Sequence, residues 1–203
     1  PEAPGRPAHV SSASGLVAVG PWLYVVADDS LHLAIFPRDG SAPGRLVRLF
    51  PGELPLEPHA RKAAKPDLEA LCVLEPFAGC PHGALLAVPS GSTAARLRGA
   101  VWPLSVNGLL VDEARAVDFT ELYAQLSREL GPLNVEGAAV AGGRLRLLQR
   151  GNGDQGTDAL VDLDRERVLR ALEAGRGLGP EGVRTVPRWE LAPAGGVRLS
   201  FTS

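Results

Sequence analysis

Nowhere does the sequence hold the roughly 18–20 consecutive apolar residues that cross a bilayer, so no membrane span is expected. The opening PEAPGRPAHV has no basic stretch running into an apolar one, as a secretory signal would. A cytoplasmic setting is the expectation, with export left open because the first residue is Pro rather than Met. There is no excess of positive charge either. Lys and Arg number 21 against 23 Asp and Glu, a net charge of −2. A nucleic-acid partner needs a strongly basic surface, so that class is excluded. Cysteine is scarce: Cys72 and Cys80 stand eight positions apart. Two thiols without imidazoles at short spacing make no structural zinc site. They leave open a disulfide across a hairpin. The simpler reading has Cys72 as a small buried hydrophobe on a strand and Cys80 in a loop.

What is abundant is punctuation. Gly (24) and Pro (18) are scattered through the chain rather than clustered. Between them lie short runs rich in Val, Leu, Ile and aromatics, the signature of many short strands joined by turns. The runs fall into three similar segments, about 10–55, 66–118 and 133–200, within a single domain spanning 1–203. The first reads SGLVAV, LYVVADD, LHLAIFP, GRLVRLF. The second reads LEALCVL, ALLAVP, RGAVWPLSV, ARAVDF. The third reads VEGAAV, RLRLLQRG, DALVDLD and a later VRTVPRWEL.

The first strands begin near Ser14, Glu69 and Glu136, 55 and 67 residues apart. The wider interval holds one inserted helix near 118–130, where Leu122, Leu126 and Leu130 form a stripe at i, i+4, i+8. Asp118 with Glu121 has the spacing of a capping box. Without that insertion the period approaches the 40–50 residues or so of a propeller blade. The fold class expected is therefore all-β: a β-propeller of four-stranded meander blades, three present and a fourth begun at GVRLSFTS. Since three blades cannot close a ring, the chain reads as a fragment, or as one completed by a partner chain; an open sandwich is the other alternative. In this arrangement the echo between PDLEALCVL and LNVEGAAV has a meaning. Each phrase starts an inner strand, with a polar residue at the channel mouth and a small one (Gly15, Ala70, Gly137) where backbones crowd the axis.

The phrases SASGLVAVGPWLYVVADDSLHLAIF, FPGELPLEPHARKAAKPDLEAL, LAVPSGST and LNVEGAAVAGGRLRLLQRGNG resemble the bacterial DUF6929 proteins, an uncharacterised group. These are similar in plan to SdiA-regulated and phytase-like propellers, whose inner strands also start with an acidic residue followed by a small one. The resemblance covers almost the whole chain. It implies further blades beyond FTS and, through the wider relatives, calcium or phosphoester chemistry. It brings no established activity with it.

Candidate site residues follow from the repeat. Glu69 and Glu136 converge on the channel mouth and are read as ligand-binding residues. With Asp154 from the loop GNGDQGTD they are candidate ligands for Ca²⁺, which takes oxygen donors in a loose shell. The competing reading has each glutamate accepting backbone hydrogen bonds that fix blade spacing. Arg150 and Arg96, after corresponding strands, either clamp an anionic group or neutralise the glutamates. Asp28 closes the matching strand of the first segment and joins the channel-mouth set. PSGST is neither a nucleophile elbow nor a phosphate loop, and four scattered histidines fit no metal array. The functional expectation is a ligand-binding or scaffold module for a small molecule or cation. The alternatives are a Ca²⁺-dependent phosphoester or ester hydrolase and a homo-oligomeric interaction module.

Overall fold

Twelve of the short apolar runs form three antiparallel sheets. The computed structural model describes residues 9–151, 157–189, 195 and 199–201. Sheet 1 has the order β1(Ala13–Val19), β2(Trp22–Ala27), β3(His32–Pro37), β4(Arg45–Arg48). Sheet 2 has β5(Leu68–Leu74), β6(Ala84–Pro89), β7(Arg98–Pro103), β8(Arg115–Asp118). In sheet 3, β9(Val135–Ala141), β10(Arg144–Gln149), β11(Asp158–Asp164) and β12(Val183–Thr185) follow in turn, and β13(Arg188–Trp189) also pairs with β11. Each sheet is a meander in chain order, and none closes on itself. The turns have the chemistry such hairpins need. Gly142 and Gly143 carry φ of 57° and 73° between β9 and β10, a backbone that β-carbons disfavour.

The sheets stack in sequence, with β5 packed between β1 and β9. One core lies between sheets 1 and 2, around Tyr24, Leu33, Ile35, Leu71, Leu85 and Trp102. The other joins the far face of sheet 2 to sheet 3, through Cys72, Leu86, Val101, Leu145, Leu147 and Val161. Sheet 2 is thus apolar on both sides, and all six residues of β6, ALLAVP, are buried. The second core also takes in α2(Thr120–Leu130), whose Leu122, Leu126 and Leu130 are buried as the leucine stripe requires. Phe119 and Tyr123 pack there with ring centroids 5.2 Å apart, and the Tyr123 hydroxyl donates to the Pro89 carbonyl at 2.6 Å.

Two expectations need correction. The inserted helix is not alone. α1(Pro58–Ala64) is capped by the Glu57 carboxylate, which accepts from His59 N and Ala60 N, and Pro58 starts its first turn. It buries none of its own residues, so it leaves no periodic apolar signal. α3(Arg165–Glu173) follows β11 without a break. Asp164 ends the strand and caps the helix through Arg167 N, which disguises the boundary. Second, Asp118 makes no capping box. Its carboxylate accepts from the backbone N–H and hydroxyl of Thr120, leaving Glu121 out. Cys80 stands in the loop between β5 and β6, as expected, and is buried there; both cysteines are free thiols. Burial pushes the Cys72 thiol up to about 12, which makes it inert.

Candidate functional site

A cleft of about 380 Å³ opens where β1, β5 and β9 begin. Ser14, Glu69 and Glu136 all line it, together with Gly15, Ala70 and Gly137. Each polar residue is the second of its strand, so the repeat brings three equivalent positions to one place. The small residues are not equivalent in cause. A β-carbon on Gly15 would stand 2.7 Å from Leu71 N and 3.0 Å from the Ala70 carbonyl carbon, so β1 approaches the β5 backbone directly. At Gly137 the obstacle is the Leu148 side chain, 2.6 Å away within the same sheet.

The two glutamates differ in their surroundings. Glu136 is 8% exposed and its Oε1 accepts from Asn134 Nδ2 and from Arg150 Nη1 at 3.2 Å. Arg150 therefore neutralises Glu136, the second of the two roles open to it. Glu69 has no hydrogen-bond or ion-pair partner among the described residues. Burial pushes its carboxyl up to about 7, and the negative charges of Asp67, Glu136 and Asp28 add to the effect against Lys65. Neither glutamate takes the backbone N–H groups of a neighbouring sheet among the described residues.

Behind Glu69 lies a network that the repeat did not reveal. Asp28, at the end of β2, Asp67 and Glu69 each offer a carboxylate oxygen within 4.8 Å of the others. Lys65 already occupies the cation position between two of them. Its Nζ bonds Asp28 Oδ2 and lies 2.6 Å from Asp67 Oδ1. Burial works against that ammonium, but the two carboxylates outweigh it and its pKa rises. Asp67 is 3% exposed and holds a left-handed backbone, φ 56°. It also accepts from Ser90 Oγ at 2.5 Å and from Arg96 Nη1 at 2.9 Å. Burial alone would raise its carboxyl, yet Lys65, Ser90 and Arg96 together hold it below the ordinary aspartate range. Arg96 thus partners Asp67, not either glutamate as the sequence suggested.

Of the sequence-derived candidates, Glu69, Glu136, Arg150, Asp28 and Arg96 gather within this cleft and its wall. Asp154 lies outside the described residues. Lys65 and Asp67 were missed, although the Lys-Pro-Asp turn before β5 carried a signal. The residue before Pro is extended, and Asp tolerates left-handed backbone, so both side chains are fixed at the strand's mouth. Ser90 is fully buried and serves Asp67, which excludes it as an exposed nucleophile.

Neither the curated proteins nor the solved structures contain a match to this chain. A protein-family model does match, over residues 9–203, and its description is "Family of unknown function (DUF6929)". With nearly its whole length covered, the chain belongs to the DUF6929 family.

Proposed function

We propose that the three sheets are neighbouring blades of a propeller-type binding module. Its cleft takes a small ligand carrying a single positive charge, such as an alkylammonium or alkylguanidinium group. One observation carries this reading: Glu69 faces the cleft without a partner among the described residues, while the charges around it are matched. Lys65 and Arg96 serve Asp28 and Asp67, and Arg150 serves Glu136. Four carboxylates thus face three cations, and the one left over is at the cleft. An ammonium or guanidinium donor beside Glu69 would complete the set with charge-assisted hydrogen bonds. The cleft volume falls within the range of small-molecule sites.

Calcium is the weaker fit. Three carboxylates this close would suit a divalent ion that wants six to eight oxygens. Lys65 Nζ already supplies the charge at that point. The hydrolase reading needs such an ion to polarise a phosphoryl or acyl oxygen, so it weakens with it.

The test is an NMR titration of the amide signals of Glu69, Ala70 and Glu136 with methylguanidine, butylamine and, separately, CaCl₂. Saturable shifts with the organic cations, lost in Glu69→Gln, are expected. Saturation by Ca²⁺ alone, or by none of the three, overturns the reading.

A further inference from the structure

The polar side chains that line the cleft are Ser14, Glu69 and Glu136, and with both carboxylates ionised they offer acceptors only. Ser14 Oγ gives its proton to the Ser12 carbonyl at 3.0 Å, which leaves its lone pairs. Glu136 takes Asn134 Nδ2 and Arg150 Nη1 on the same oxygen, Oε1. Its Oε2 therefore has no donor among the described residues, and neither does either oxygen of Glu69. Four acceptor atoms thus come to one cleft from β1, β5 and β9, strands of three different sheets. A ligand that satisfies them must bring several N–H groups and spread them in more than one direction. It must also bring a single charge, since one carboxylate of the set lacks a cation.

These demands separate the organic cations. A quaternary ammonium has the charge but no N–H, and it is ordinarily held by aromatic faces. No aromatic residue lines the cleft. A primary ammonium has three N–H groups on a compact point charge, which suits one carboxylate. A monoalkylguanidinium has five N–H groups fixed in one plane and pointing outward along different edges. It alone can serve carboxylates on two neighbouring strands at once with one positive charge. The larger apolar side chains of the lining, Leu16 and Leu71, provide the surface an alkyl stem needs.

We propose that the cleft is a guanidinium site: Glu69 binds one edge of a monoalkylguanidinium fork, and Glu136 Oε2 with Ser14 Oγ binds another. Arg150 keeps its hold on Glu136 Oε1, and the alkyl stem of the ligand lies against Leu16 and Leu71. This rests on the organic-cation reading above and narrows it to one donor geometry.

The test compares methylguanidine, methylamine and tetramethylammonium, as chlorides at equal ionic strength, by NMR titration of the full chain. Glu69 is pushed up to about 7, so the titrations are run at about pH 8, where it is ionised. Methylguanidine should bind about tenfold more tightly than methylamine, the worth of one or two further charge-assisted hydrogen bonds. Tetramethylammonium should give no saturable shift. Glu136→Gln should narrow the preference for methylguanidine over methylamine to below about threefold, because the second edge loses its charged acceptor. The ratio is the readout, since the Arg150 charge released by that change weakens both cations. Should Glu136→Gln lose its circular dichroism signal, Glu136→Asp replaces it, with the same narrowing expected from a carboxylate drawn back by one methylene. Saturable binding of tetramethylammonium as tight as that of methylguanidine overturns the proposal, because charge alone then suffices. Methylamine binding as tightly as methylguanidine overturns it too, as does a preference that survives the change at Glu136. Saturable shifts without the preference leave the organic-cation reading standing and sink this one alone, whereas no shift with any of the three sinks both.

Discussion

Lys65 Nζ lies 2.6 Å from Asp67 Oδ1, and that contact sets an ammonium among the carboxylates of the cleft wall. The same ammonium bonds Asp28, so one lysine stands where a metal ion would otherwise have to. Lys65→Ala should therefore do two things. It should destabilise the fold by about 3 kcal/mol, since removing one member of a buried ion pair strands the others. It should also create a calcium dependence: millimolar CaCl₂ should raise the melting midpoint of the variant by several degrees, because binding to the folded state alone stabilises it. A variant whose midpoint ignores Ca²⁺ would mean that the three carboxylates cannot reorganise around an ion.

Glu69 gives a stability dependence on pH whose sign is the reverse of most carboxylates. Its folded pKa is about 7, above the unfolded value near 4.5. Between those values the folded state holds the extra proton. The stabilising contribution is full below about pH 4.5 and is lost as pH rises through 7. Glu69→Gln removes the titration. The difference in melting midpoint, variant minus parent, should grow in favour of the variant from pH 5 to pH 8. A flat difference across that range would show an ordinary, solvated carboxylate.

Gly15 and Gly137 occupy equivalent places and should respond unequally to alanine. At Gly15 the obstacle is backbone of another sheet, which cannot step aside, so Gly15→Ala should cost about 2 kcal/mol. For a chain of this size that lowers the midpoint by about 4–8 °C. At Gly137 the obstacle is the end of the Leu148 side chain, which can change rotamer, so Gly137→Ala should cost well under half as much. Equal losses in thermal melts would mean that β1 does not press on β5.

The alternation of Val-, Leu- and Ile-rich runs with Gly and Pro turns was enough to delimit the strands. β1 through β11 fall on the runs SGLVAV through DALVDLD, because short-range turn chemistry and side-chain period are local properties. The echo of Ser14, Glu69 and Glu136 also predicted their convergence on one cleft, since equivalent positions of stacked repeats become neighbours. The helices at 58–64 and 165–173 were not legible. One buries nothing, and the cap of the other, Asp164, doubles as the last residue of a strand.

What the sequence determined by itself is therefore the set of sheets and the meeting of their first strands. What only the tertiary structure decided is which charges cancel. Arg150 and Glu136 pair across neighbouring strands of one sheet. Arg96 and Lys65 reach Asp67 and Asp28 because a left-handed turn at Asp67 turns that side chain inward, under Ser90. Electrostatic partnership depends on three-dimensional distance and burial, and spacing along the chain encodes neither. That is why Glu69, indistinguishable from Glu136 in the text, is the carboxylate left facing the cleft without a cation of its own among the described residues.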